Sequence, residues 1–456
     1  MQRDTPPHLL TAVLALVTTV TSVVSSLGAP LVPLIAEQYD VEVGTAQWTL
    51  TATLLLGAVC TPLMGRLGDG RLRRRVLLTG LSVVVAGCIL AALPLGFVPL
   101  VMGRTLQGAG IGLMPLVIAI ARDSLPRERV QGAVALLSVT TVAGAGLGYP
   151  LTAAVASALG VSAAFWCGAG LGAATTLLAF LTLPSSSENR HSSVDFLGAS
   201  LLGAGTAGLL LLVTQGQAWG WLSSSSFAIA IPSVLLLTWW VTRSLRIRNP
   251  VVNLRLAFHP GTVGVNAVAL LVGIGMYLLL TLTVLGAQAP SDSGYGLGRG
   301  VFVAGLLLTP YSVTSLLGAR LSRELATWAG PRVALSIGCS LFAAACTMLA
   351  FRHDTVTQLV LAMAIGGLGG GSTFGAIPGL LIRRVPATET GAAIAFNQLL
   401  RYLGYSVGSA LAVTVLEAIG PDGKPSAEGF RAAALTGTAI CGAGAVLAMA
   451  VSNRRS

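Results

Sequence analysis

The chain has 456 residues, of which 54% are hydrophobic and only 9% charged, and its formal net charge is +11. Soluble domains average about 25% charged residues, so this composition excludes a water-facing globular surface and makes lipid the solvent of the long apolar runs. The basic excess is arginine apart from Lys424 and sits in short stretches between apolar runs, which points to orientation in a membrane rather than to nucleic-acid binding.

Taken in chain order, apolar stretches long enough to cross a bilayer predict spanning helices near 9–35, 46–65, 76–97, 99–121, 132–157, 161–183, 196–216, 225–242, 262–286, 300–319, 332–351, 356–382, 390–417 and 430–451. The fold class expected is therefore an all-α polytopic membrane protein of about fourteen helices. The first stretch is too long for a signal-peptide core and has no clear cleavage site, so it is read as a helix. The 56 glycines suit close helix approach in lipid. Cys60, Cys88, Cys167, Cys339, Cys346 and Cys441 all fall in apolar runs without a CxxC, as small buried residues rather than ligands.

An even number of spans places both termini on one side. With fourteen, that side collects 21 arginines, in runs such as Arg71, Arg73, Arg74 and Arg75, or Arg243, Arg246 and Arg248. The other side has four cations, Arg299, Arg352, Lys424 and Arg431, while Arg104 and Arg401 lie inside spans. By the positive-inside rule both termini are cytoplasmic, in the cell membrane. Trp219 and Trp221 fall at an outer turn, where aromatic residues settle at the membrane interface.

A short internal echo suggests duplication. Leu147-Gly148-Tyr149-Pro150 in the fifth span matches Leu403-Gly404-Tyr405-Ser406 in the thirteenth. The expected organisation is a six-helix bundle over 1–183, an extra helix pair with linkers over 184–261, and a second six-helix bundle over 262–456. No GxxxxGK[ST] occurs, so ATP is not the expected driver, and no cofactor or metal site is expected. His8, His191, His259 and His353 lie near termini or loops, which leaves no catalytic cluster at membrane depth and argues against an enzyme.

Four motifs carry a family resemblance. Gly65-Arg66-Leu67-Gly68-Asp69, followed by Arg71, Arg73, Arg74 and Arg75, resembles the loop signature of the major facilitator superfamily, GxxxD with a basic run; Gly70 and Leu72 depart from it. Arg104-Thr105-Leu106-Gln107-Gly108 resembles the family's RxxQG motif. Gly144, Gly146, Gly148, Tyr149 and Pro150 look like a variant of its antiporter motif, a glycine-rich bend ending in Gly-Pro. Asp195-Phe196-Leu197-Gly198, with the run from Asn249 to Leu256, is similar to the fourteen-spanner drug:proton antiporter family. The resemblance implies an exporter of drugs or natural products working by alternating access, with protons as coupling ion, and a monomer. The alternative is an exporter of an endogenous metabolite or lipid. Gating roles are implied for Asp69, Gly65, Arg73, Arg74, Gly148 and Pro150.

The family typically places an acidic residue in the first helix, at a position that Val24 occupies here. No carboxylate lies near the middle of any predicted span. Instead Asn397, Arg401, Tyr405 and Ser409, spaced by four, share one face of the thirteenth helix. Charged residues in spans face the interior, so this stripe is expected to line the substrate cavity, with Arg104 and Gln107 as further cavity residues. A neutral or anionic substrate suits it better than a lipophilic cation. The alternatives are a structural hydrogen bond from Arg401 to the carbonyls of a broken helix, and snorkelling of Arg104 to the headgroups. Thr309, Pro310, Tyr311, Pro30 and Pro33 are weaker cavity candidates.

Overall fold

A computed structural model of the chain describes residues 6–27, 31–41, 43–46, 48–68, 72–184, 195–220, 222–247, 250–386, 389–419 and 425–450. Asp69, Pro30, Trp221 and Asn249 lie outside these residues.

The described regular structure is helical. In chain order it runs α1 (Pro7–Ser26), α2 (Val32–Tyr39), α3 (Val43–Ala46), α4 (Trp48–Gly68), α5 (Arg73–Ala92), α6 (Phe97–Gln107), a 3₁₀ segment (Gly108–Gly112), α7 (Leu113–Ser124), α8 (Arg127–Leu159) and α9 (Val161–Thr182). It continues with α10 (Phe196–Trp219), α11 (Ser224–Ser244), α12 (Leu254–Ala257), α13 (Val263–Gln288), α14 (Val301–Leu306) and α15 (Leu308–Trp328). The last four are α16 (Pro331–Phe351), α17 (Val356–Ile382), α18 (Thr390–Ala418) and α19 (Ala427–Ala450).

Twelve helices among the described residues are long and apolar enough to cross a membrane. The expected count of fourteen is not reached, and two predicted spans have no counterpart among the twelve. The span at 132–157 falls within α8, several of whose side chains are outside the described set. The span at 300–319 is divided at Leu307 into α14 and α15, and α15 carries Arg320, Arg323 and Glu324. Two other predicted spans are also interrupted. The single helix expected over 9–35 is α1 followed by α2, and the one over 99–121 passes through the 3₁₀ segment between α6 and α7. At that segment Gly108 packs on α4 so tightly that a Cβ would come within 2.2 Å of the Thr53 carbonyl oxygen.

Several helix starts are set by local side chains. Asp195 accepts from the Gly198 amide at the start of α10, and Ser223 accepts from the Ser226 amide before α11. Thr355 and Gln358 form a reciprocal capping box before α17.

The chain divides into two units. The first comprises Met1–Phe258 with Val385–Leu399, and the second His259–Arg384 with Leu400–Ser456, so α18 begins in the first and ends in the second. Within the first unit, Val20, Val24, Leu31, Ile35, Cys88, Leu100 and Phe165 are buried in one apolar cluster. In the second, α15 and α17 meet through glycine: a Cβ at Gly371 would come within 1.8 Å of the Ser315 carbonyl oxygen. The echoed glycines occupy like positions. Gly148 is pressed against Val23 and Ser26 of α1, and Gly404 against Leu270 and Gly273 of α13, so each sits on a long helix of its own unit.

Candidate functional site

Arg104 is fully buried. Its guanidinium donates from Nη1 to the Val24 carbonyl at 3.1 Å, from Nη2 to the Ser25 carbonyl at 3.1 Å and from Nε to the Thr49 carbonyl at 3.3 Å. Nη1 also donates to Gln107 Oε1, and the Phe165 ring lies 5.9 Å from the guanidinium carbon. Val24 and Ser25 belong to the last turn of α1, where carbonyls run short of intrahelical donors; the Val24 carbonyl also accepts from the Leu27 amide at 3.3 Å. A cation at a helix C-terminus is also favoured by the helix dipole. The interruption after Ser26 and the buried arginine therefore explain each other, and the donors of Arg104 are turned to the chain's own backbone. Gln107 is equally buried, and its Nε2 has no hydrogen-bond partner.

Arg401 in the second unit is placed differently. Its guanidinium carbon lies 4.7 Å from the centroid of the Phe374 ring on α17. Its Nε is buried and makes no hydrogen bond, and no carboxylate pairs with it among the described residues. Among the described residues it makes no hydrogen bond to a main-chain carbonyl. Around it stand aromatic rings. Tyr405, one turn on, stacks on Tyr277 of α13 with centroids 4.4 Å apart, and Tyr402 meets Tyr405 edge-on at 5.6 Å. Ser409 accepts from the Thr281 hydroxyl at 3.4 Å. Of the predicted stripe, Arg401, Tyr405 and Ser409 thus lie together in the second unit, whereas Asn397, buried, falls in the segment assigned to the first. Sequence spacing did not reveal Phe374 and Tyr277, because they come from α17 and α13 and share no periodicity with α18.

The described gating residues, Gly65, Arg73, Arg74, Gly148 and Pro150, lie in the first unit. A Cβ at Gly65 would stand 2.4 Å from the Ala395 Cβ and 2.8 Å from the Gly391 carbonyl oxygen. Arg73 pairs with Asp123, a partner fifty residues away that sequence reading did not single out. Arg74 donates to the Phe180 carbonyl at 2.7 Å and lies over that residue's ring. Pro150 is inside α8, and Gly148 is where α8 touches α1: a Cβ there would come within 2.1 Å of Ser26 Oγ. Nearby, Arg122 donates to the Val385 and Pro386 carbonyls at 3.3 and 3.5 Å. In the second unit, burial and then the charges of Arg332 and Arg383 hold the Arg384 guanidinium below its ordinary pKa.

Comparison with known proteins places these features in context. The model of the Major Facilitator Superfamily matches residues 14–409 and 265–456. An uncharacterized MFS-type transporter, YcnB of Bacillus subtilis (strain 168), is 24% identical over 391 residues, covering 84% of this chain and 81% of that protein. A multidrug resistance protein B homolog of Mycobacterium tuberculosis (strain ATCC 25618 / H37Rv) is 23% identical over 429 residues, covering 91% and 78%. The crystal structure of the human organic anion transporter MFSD10 (TETRAN) superposes with a TM-score of 0.70 at 16% identity, covering 97% of this chain and 99% of that one.

Proposed function

The chain belongs to the Major Facilitator Superfamily, a multi-pass membrane protein of a transporter family, and from that premise we propose that it is a secondary active exporter of small organic molecules, drugs or natural products, in a bacterial cell membrane. The observation that carries this reading is the family match along most of the chain, together with relatives such as the multidrug resistance protein B homolog over 91% of it. Export proceeds by alternating access, with both termini cytoplasmic, as the arginine distribution argues. The fourteen-spanner plan, with α10 and α11 as an added pair between two six-helix bundles, is part of the same proposal, as is coupling to protons by a monomeric carrier.

Substrate is held by Arg401 and Tyr405, supported by Asn397. Arg104 and Gln107, expected among the cavity residues, fix the end of α1. Asp69, Gly65, Arg73, Arg74, Gly148 and Pro150 serve the conformational change. Asp69→Asn should slow turnover more than it weakens substrate affinity; a pure loss of affinity would contradict a gating role.

The experiment is efflux from everted vesicles, screened with cationic, neutral and anionic compounds, with and without a proton gradient. Outward transport of at least one class that collapses with the gradient is the expected result. No transport of any class, or transport indifferent to the gradient, would overturn the exporter or its coupling respectively.

A further inference from the structure

Two side chains in the second unit each carry a buried polar atom without a hydrogen-bond partner and rest on the same stretch of α17. Tyr311 of α15 is 3% exposed, and its hydroxyl makes no hydrogen bond. That hydroxyl lies so near Gly370 that a Cβ there would come within 2.2 Å of it. The second atom is Nε of Arg401, a half-buried residue whose guanidinium lies over the Phe374 ring. Gly370 and Phe374 are four residues apart on α17, on one face and about 6 Å apart along the axis. The Tyr311 hydroxyl and the Arg401 guanidinium therefore stand over successive turns of one helix. The Thr309 hydroxyl, two residues before Tyr311, is also buried without a partner.

Leaving buried donors unsatisfied is costly. The Tyr311 hydroxyl and Arg401 Nε stand over successive turns of α17, and the side chains described around them are neutral: Tyr311, Phe374, Tyr277, Tyr402 and Tyr405. A cationic ligand would meet the charge of Arg401 with no acid to offset it. An anion would satisfy the guanidinium fork and the hydroxyl at once. One cation matches one negative charge, and the stacked pair Tyr277–Tyr405 offers an aromatic face that another ring could extend.

We propose that Arg401 and Tyr311 form an anion anchor for a planar aromatic molecule bearing a single carboxylate, whose ring packs on the tyrosine wall. The proposal rests on the exporter reading and names its substrate class. The carboxylate takes its bidentate bond from Arg401 and a further bond from the Tyr311 hydroxyl. Phe374 holds the guanidinium in place from its other side.

The test is calorimetric binding to the full chain in lipid nanodiscs, with three probes sharing one ring system: 2-naphthoate, 2-naphthylmethanol and 2-naphthylmethylammonium. 2-Naphthoate should bind tightest. Arg401→Gln should weaken it by about 10- to 100-fold and Tyr311→Phe by about 5-fold, while binding of 2-naphthylmethanol stays unchanged in both. Arg401→Lys, which keeps the charge but not the fork, should fall between wild type and Arg401→Gln. Circular dichroism and size exclusion establish that each variant is folded. Equal or tighter binding of the ammonium or alcohol probe, a 2-naphthoate affinity indifferent to folded Arg401→Gln, or no 2-naphthoate binding by folded wild type would each overturn the proposal. Counterflow of 2-naphthoate in proteoliposomes separates it from the transport reading. Binding without movement would remove the exporter and leave the anchor. Movement unaffected by either substitution would remove the anchor and leave the transporter.

Discussion

Arg104 in the first unit and Arg401 in the second are both arginines set inside apolar helices, and their guanidinium groups meet opposite surroundings. Arg104 is enclosed, with each nitrogen of its fork donating to a main-chain carbonyl of Val24, Ser25 or Thr49. Arg401 has an aromatic ring on one side, an unsatisfied Nε, and no carbonyl or carboxylate in reach of a hydrogen bond among the described residues. A charge within a span is costly in either place. In the first unit that cost is offset at a helix end; in the second the Phe374 ring faces the charge, and among the described residues no carboxylate pairs with it. The destination of the donors, rather than burial of the charge, distinguishes a structural arginine from one available to a ligand.

The comparison breaks most readily at Arg104. Arg104→Ala would remove the guanidinium donors from the Val24, Ser25 and Thr49 carbonyls, at roughly 1–3 kcal/mol for a carbonyl left unsatisfied, and should show as loss of folded protein and a lowered thermal midpoint in detergent. Arg401→Ala should leave yield and thermal midpoint near wild type. If both variants behave alike in a melting experiment, the distinction fails. Next in size is Gly148→Leu. A side chain there meets Ser26 and Val23 of α1, and overpacking costs about 1–3 kcal/mol, so a thermal melt should register it. Gly132→Ala, with no atom near its Cβ position, is the matched control. The smallest effect is expected from Asp123→Asn, which removes the partner of Arg73 at a partly exposed site. Such pairs contribute about 0–1 kcal/mol, so stability should barely move and any change should appear in turnover.

Hydropathy made the helical architecture legible because lipid demands long apolar runs, and those runs need no partner to be seen. It could not show where a run is interrupted. Leu27, Gly108 to Gly112 and Leu307 differ little in polarity from their neighbours, and what changes there is the main-chain hydrogen bonding. α15 was counted as a span on its apolar first half, although Arg320, Arg323 and Glu324 occupy its second. In the site, the spacing of Arg401, Tyr405 and Ser409 was readable because one helix supplies all three. The environment of each arginine was not. Three partners of Arg104 are backbone carbonyls, which carry no signature in the sequence, and the rings around Arg401 and Tyr405, Phe374, Tyr277 and Tyr311, come from three other helices. Tyr311 was visible only as a weaker candidate, since nothing in Thr309-Pro310-Tyr311 shows that its hydroxyl is left unsatisfied.

The most direct test of the account is substrate export by wild type and Arg401→Ala in everted vesicles, at equal amounts of inserted protein and for the same organic anion. Export by the variant should fall by about 10-fold or more while its thermal midpoint stays at the wild-type value. Unchanged export, or a loss explained entirely by unfolded protein, would show that Arg401 is as structural as Arg104.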